Sequence, residues 1–171
     1  MAGVTTKFDP APTLNRLSAL EPDTVPPVRG SGYPEPFRSR IGGRIKQRLG
    51  DALGLTQFGV NLVTLGPGGQ SSMRHWHTLE DEFVYMLEGE LVLVTEAGEQ
   101  VLVAGMCAGY PAGRPDGHHM INRSNATARY LEIGTRRDGD LAFYPDDDLM
   151  LIPTEQGTAW AHKTRRPYPP D

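Results

Sequence analysis

At 171 residues the chain is long enough to bury a core without disulfide staples, and it has the size of one domain with an added arm. Its 20 glycines, 15 prolines and 38% hydrophobic residues favour many short strands joined by turns, an all-β architecture, over a helical bundle. A net charge of −4 argues against nucleic acid or an anionic membrane surface as a partner.

Cys107 is the single cysteine, so no internal disulfide can form, and the N-terminus lacks the charged-then-apolar pattern of a secretory signal. No apolar run approaches the roughly 18 residues that would span a bilayer. A soluble, cytoplasmic protein with neither nucleic acid nor membrane as partner is the expectation.

In chain order, residues 1–40 are broken by repeated prolines and show no apolar period, which forbids a long helix or a central strand. They are expected to form an extended arm, either mobile or tied down against the body or a second subunit. IKQRLGDALGLTQ (Ile45 to Gln57) invites a helix-turn-helix reading. Such a module needs about three packed helices, and prolines upstream with the β-like FGVNLVTL directly downstream leave no room for it. The segment is expected to be strand or loop leading into a barrel.

From Phe58 the chain reads as strand after strand: FGVNLVTL, SSMRHWH, EFVYMLE, ELVLVTE, EQVLVAG, MCAGYP, HHMINRS and ARYLEIGT. Each is bounded by glycine, proline or a polar turn such as GPGG, LEGE, EAGE or NRSN. EFVYMLE is apolar at both parities, so both of its faces should be covered, the outer one by another subunit. Residues 41–136 are taken as the barrel and 137–171 as an extension of loops with one short element. Within it, Asp146 to Asp148 should be a solvated turn.

The chemistry is concentrated in RHWHTLEDEFVYMLEGE (Arg74 to Glu90). Side chains alternate along a strand, so His75 and His77 project to one face while Arg74 and Trp76 project to the other. The short turn TLED then returns the chain so that Glu82 can lie beside them. Two imidazoles and a carboxylate suit Fe(II), Mn(II), Ni(II), Co(II) or Zn(II) better than Cu(I). One more ligand is expected, and His118 and His119 are on offer.

The spacing carries a resemblance. Gly69, five residues, His75-Trp-His77, four residues, Glu82, six residues and Gly89 match the first motif of the cupin superfamily, and Gly105, five residues, Pro111-Ala-Gly113, His118, three residues and Asn122 look like the second. The chain resembles in particular small single-domain bacterial cupins with no settled activity. Four residues rather than the usual two separate Gly113 from His118, which lengthens the loop and leaves the following strand in register.

The resemblance implies a double-stranded β-helix, the cupin or jelly-roll barrel, with an N-terminal arm and a C-terminal extension. It further implies one divalent metal ion held by His75, His77, Glu82 and His118, with His119 as the alternative fourth ligand, and a homodimer. Gly69, Gly89, Gly105 and Gly113 would serve turns, supplying backbone angles that a Cβ disfavours. Phe83, Tyr85 and Leu87 should pack against another surface, Met86 should face the cavity with Glu82, and Cys107 should be a small core residue.

Such an ion keeps about two open positions in six-coordinate geometry. A metal-dependent enzyme of isomerase, lyase or dioxygenase type is therefore expected, acting on a small oxygenated metabolite such as a sugar derivative or a keto or hydroxy acid. The alternative is a non-catalytic cupin that binds a sugar-like ligand for sensing or storage. Arg44, Arg114 and Arg123 are candidates to meet the ligand's charge, and Asn122 to orient it from beside the metal. No cavity-facing general base is identifiable in the sequence, which tilts the expectation towards Lewis-acid or oxygen chemistry.

Overall fold

The computed structural model describes residues 19–169. In chain order the strands are β1 (Pro27–Arg29), β2 (Arg44–Arg48), β3 (Phe58–Leu65), β4 (Trp76–His77), β5 (Glu82–Glu88), β6 (Glu90–Thr95), β7 (Gly98–Val103), β8 (Cys107–Tyr110), β9 (His119–Ile121), β10 (Ala128–Thr135), β11 (Ala142–Tyr144), β12 (Leu149–Thr154) and β13 (Gly157–Ala161). They form a six-stranded sheet in the order β1-β2-β3-β10-β5-β8, a four-stranded sheet β13-β12-β11-β4 and a three-stranded sheet β7-β6-β9. The pairings within them are antiparallel. This is the all-β, jelly-roll cupin architecture, and among the described residues no helix is long and apolar enough to cross a membrane.

Alternation sets the packing. On β5, Val84 and Met86 point inward and are buried, while Phe83, Tyr85 and Leu87 point outward and are 38 to 45% exposed. The inward set meets Val63 and Leu65 of β3, Leu91 and Leu93 of β6, Leu102 of β7, Met120 of β9 and Tyr130 of β10 in one core between the six- and three-stranded sheets. Each such side chain contributes about 1.5–3 kcal/mol by leaving water, so this core anchors the walls of the site. Gly89 makes the β5–β6 turn at φ +74°, and a Cβ there would lie 2.8 Å from the Thr127 carbonyl oxygen. Gly69 is required for space rather than for angle, since its Cβ would fall 2.9 Å from both the Gly66 oxygen and Leu65 Cδ1.

Several expectations need correction. The arm's residues 1–18 lie outside the described residues, but from Ala19 onward it is anchored. β1 pairs with β2 at the sheet edge, and Tyr33, Phe37 and Ile41 are buried against Met73, Ala142, Tyr144 and Leu149 in a second core. SSMRHWH is strand only at Trp76–His77, with His75 joined to His118 by an isolated bridge. Ile45 to Gln57 comprises β2 and a single helical turn, α1 (Leu49–Ala52), before β3.

The C-terminal extension is not loops with one short element: it supplies β11, β12 and β13. Pro153 argues against a strand there, yet β11 pairs only with Leu149–Leu151, so the proline borders β13 alone and no ladder bond on its other side is lost. Asp146 to Asp148 do form the expected turn, exposed at Asp146 and Asp148, and each carboxylate is also paired. Asp146 pairs with Arg74 at 2.6 Å, Asp147 with Arg40 at 2.6 Å and Asp148 with His162 at 2.8 Å. Cys107 is exposed rather than in the core, because it stands on the outward parity of edge strand β8, opposite Tyr85.

Candidate metal centre

His75 and His118 face each other in a bridge closed by both backbone hydrogen bonds, His75 N to the His118 oxygen at 3.2 Å and His118 N to the His75 oxygen at 2.9 Å. Their rings lie 5.1 Å apart, and His77, two residues along, puts its ring 5.2 Å from His75. Glu82 opens β5 on the inward parity and places Oε2 at 2.9 Å from His118 Nε2, 3.5 Å from His75 Nε2 and 3.8 Å from His77 Nε2. The donors of His75, His77 and Glu82 all lie within 4.8 Å of one another.

The other ring nitrogens are each set against an oxygen acceptor. His75 Nδ1 is 2.9 Å from the Met73 carbonyl oxygen, His118 Nδ1 is 3.1 Å from that of Asp116, and His77 Nδ1 is 2.5 Å from Asp140 Oδ2. Carbonyl and carboxylate oxygens only accept, so a hydrogen placed on each Nδ1 would leave each Nε2 free to act as a metal ligand on the side of Glu82. With a cation at the centre, three imidazole lone pairs and a carboxylate would face it with no proton between them. Two donors each about 2.1 Å from one ion stand roughly 3.0 Å apart at right angles and 3.4 Å apart in a tetrahedron. The Glu82–imidazole separations bracket those values, and the His75, His77 and Glu82 cluster is compatible with a metal ion, whereas His118 lies outside that 4.8 Å group and is tied to it through Glu82.

The histidines act strongly on the Glu82 carboxyl. Burial works to raise the Glu82 carboxyl, but the charges and hydrogen bonds of His75, His118 and His77 outweigh it and hold it well below the usual carboxylate range. Burial pulls His77 down, yet its bond to Asp140 and the charges of Glu82, Asp140 and Glu80 leave it raised. Asp140 is lowered against its own burial, chiefly by hydrogen bonds from His77 and the Leu79 amide.

Two aromatic rings clamp the histidines. Tyr110 lies parallel to His118 with centroids 3.4 Å apart, and Tyr144 stacks on His75 at 5.5 Å. The Tyr110 hydroxyl is buried without a hydrogen-bond partner among the described residues, and burial raises its pKa, so it stays protonated. A cavity of about 30 Å³ opens beside the cluster, lined among others by Ser72, His75, Glu82, Tyr110, His118 and Glu132.

Other expected site residues take different contacts, although His119 also lines the cavity. His119 takes the opposite parity from His118 and sets Nδ1 3.2 Å from the Ser72 carbonyl oxygen. Asn122, expected to orient a ligand, is fully buried and spends its amide on the structure. It donates to the Leu65 and Ala126 carbonyls at 2.8 Å and accepts from Ser124 N and Oγ. Met86 shares the face of Glu82 but is packed into the core. Arg123 forms a bidentate pair with Glu99 at the surface, and Arg44 donates to the Ser71 carbonyl at 2.7 Å.

Sequence reasoning missed Asp140, Glu80 and Glu132. Asp140 comes from the extension read as loops, and nothing local marks it. Glu80, with His77 and Asp140, completes a second cluster of donor atoms, and its carboxylate accepts from the Arg137 amide at 2.8 Å. Glu132 had a signal: in ARYLEIGT it shares the parity of Tyr130, which is the core face.

The comparisons with known proteins agree with this architecture. Residues 61–134 match the family model for the Cupin_2 cupin domain. A sugar phosphate isomerase from a cupin superfamily, from Silicibacter pomeroyi, is 46% identical with a TM-score of 0.84, the match covering 88% of this chain and 96% of that one. An Acidithiobacillus ferrooxidans protein provisionally named a sugar phosphate isomerase is 29% identical, with a TM-score of 0.66 over 75% of this chain and 81% of that one. The polyketide cyclase RemF from Streptomyces resistomycificus, at 19% identity, shares the fold with a TM-score of 0.57 over 70% of this chain and 80% of its own. No protein of curated function matches the sequence. The chain belongs to the cupin superfamily.

Proposed function

We propose that His75, His77, Glu82 and His118 hold one divalent metal ion and that the protein is a metal-dependent isomerase of a sugar phosphate or a closely related hydroxy-carbonyl compound. The observation that carries the reading is the set of three Nε2 atoms turned on the Glu82 carboxylate, each ring with an acceptor at Nδ1. The Silicibacter pomeroyi relative supports isomerase over the lyase and dioxygenase types. A divalent ion of the Fe, Mn, Zn, Ni or Co kind would supply Lewis acidity to a carbonyl or hydroxyl oxygen of the bound molecule.

The chain's own residues do the rest. Asp140 keeps the His77 ring in the orientation and tautomer that a ligand needs. Tyr144 and Tyr110 fix the faces of His75 and His118 and keep bulk water off them. Elemental analysis of protein purified without added metal tests the site: one ion per chain is expected, lost in both His75→Ala and Glu82→Ala. Aldose–ketose interconversion assayed over a panel of sugar phosphates tests the activity. A stoichiometric ion with no turnover on the panel would favour the ligand-binding alternative.

The outward face of β5 supports a second reading, of assembly. Phe83, Tyr85 and Leu87 form an exposed apolar row on an antiparallel sheet that otherwise alternates, and a second copy of the chain is the proposed cover. Sedimentation of the wild type as a dimer and of Tyr85→Lys as a monomer would support this, whereas a monomeric wild type would sink it.

A further inference from the structure

The cavity beside the histidines contains a second carboxylate that the proposed metal site does not use. Glu132 stands on β10 at the inward parity, directly across from Val84, while Gly134 lies across from Glu82. Glu132 is therefore the diagonal neighbour of Glu82, roughly 7–8 Å away between backbones.

The carboxylate is held from the other side. Lys46 Nζ of β2 donates to Oε1 at 2.6 Å, and Asn61 Nδ2, directly across on β3, donates to the same oxygen at 3.1 Å. Both contacts fall on one oxygen, and Oε2 receives no hydrogen bond from another described residue although Glu132 lines the cavity. Of the cavity's two carboxylates, Glu82 is engaged by imidazoles, and the Tyr110 hydroxyl is held protonated.

A purely structural role is the alternative. Yet a partly buried ion pair seldom out-stabilises apolar side chains of the same size, so a Lys–Glu pair on a core-facing parity beside a donor cluster is poor packing and good chemistry. Burial works to raise the Glu132 carboxyl, but Lys46 and Arg44 of β2 outweigh this and the opposing charge of Glu82, leaving it lowered and ionised at neutral pH.

We propose that Glu132 is the proton-transferring residue of this cavity and that Lys46 and Asn61 are the positioning residues that present its free oxygen to the substrate. The inference rests on the isomerase reading above. Glu132 takes the proton from the carbon next to the carbonyl; the C–H electron pair becomes a C=C bond and the carbonyl π pair moves onto its oxygen. The proton on Glu132 exchanges with solvent, and Glu132 then delivers a proton to the former carbonyl carbon, where the C=C pair forms the new C–H bond. The neighbouring hydroxyl loses its proton to the first oxygen and becomes the new carbonyl. Nothing is oxidised or reduced overall.

The test is solvent deuterium incorporation by the metal-loaded protein in D₂O. The probes are ribose 5-phosphate, arabinose 5-phosphate, glucose 6-phosphate and mannose 6-phosphate. Wild type should label the carbon, and Glu132→Gln should lose labelling by about 100-fold or more while keeping its metal stoichiometry. Glu132→Asp, which preserves the charge, should fold and recover part of the exchange. Lys46→Met should move the acid limb of kcat/KM to higher pH. In metal-free protein it should likewise raise the ¹³C-detected titration of the Glu132 carboxyl. Labelling by Glu132→Gln at the wild-type rate, or a titration unmoved by Lys46→Met, would overturn the assignment and leave the isomerase reading standing. No labelling of any probe by wild type would overturn the isomerase reading itself, and this role with it.

Discussion

Asp140 Oδ2 lies 2.5 Å from His77 Nδ1 across 63 positions of sequence, and the same carboxylate accepts from the Leu79 amide at 2.7 Å and Thr78 Oγ1 at 3.1 Å. The carboxylate is thus itself immobilised, and it transmits that rigidity to the imidazole. The substitution Asp140→Asn keeps the shape but removes the charge and lets the amide donate. Metal affinity should fall about 10- to 100-fold, as measured by competition with a chelator. An unchanged affinity would show that the ring needs no such anchor.

The bridge between His75 and His118 separates two adjacent histidines. His118 turns its Nε2 to Glu82 and His119 turns away to Ser72. His118→Ala should therefore lose most of the bound metal while His119→Ala keeps it, read out as ions per chain after gel filtration. The reverse pattern would move the fourth position to His119.

The Lys46–Glu132 pair has a pH signature. The Glu132 pKa is lowered in the folded chain, so its stabilisation is complete above the unfolded value of about 4.3 and disappears as pH falls through the lower folded value. Lys46→Met strands a buried carboxylate and should cost about 3 kcal/mol at neutral pH. In urea unfolding, the gap between wild type and Lys46→Met should narrow steadily as pH drops from about 6 to about 3. A gap that is constant with pH would mean that lost packing, not charge, dominates.

Gly89 combines a left-handed backbone with a close approach, φ +74° and a virtual Cβ 2.8 Å from the Thr127 oxygen. Gly89→Ala should destabilise the fold by about 2 kcal/mol or more in urea titration. An effect within a few tenths would mean that the β5–β6 turn can relax.

How much of this was legible follows from the range of the interactions. His75, His77 and Glu82 were readable because strand parity and a short turn fix their neighbourhood within eight residues, and His118 because its frame repeats that logic further on. Asp140, held to His77 by a contact between distant strands, left no local mark. Glu132 was within reach, since an acidic residue on the core parity of a strand calls for a partner, but Lys46 lay in a segment read only as strand or loop. Asn122 shows the opposite failure. Inward parity near a histidine suggested a ligand contact, while the backbone carbonyls of Leu65 and Ala126 claimed its amide first.

Strands made late in synthesis complete the donor set. β11 flanks β4, Tyr144 covers His75, and Asp140 precedes β11 by two residues, so a nascent chain that had reached only Thr135 would present its histidines with one ring face bare and His77 free to rotate. For the proposed metal site, ion capture would then trail synthesis of the C-terminal hairpins.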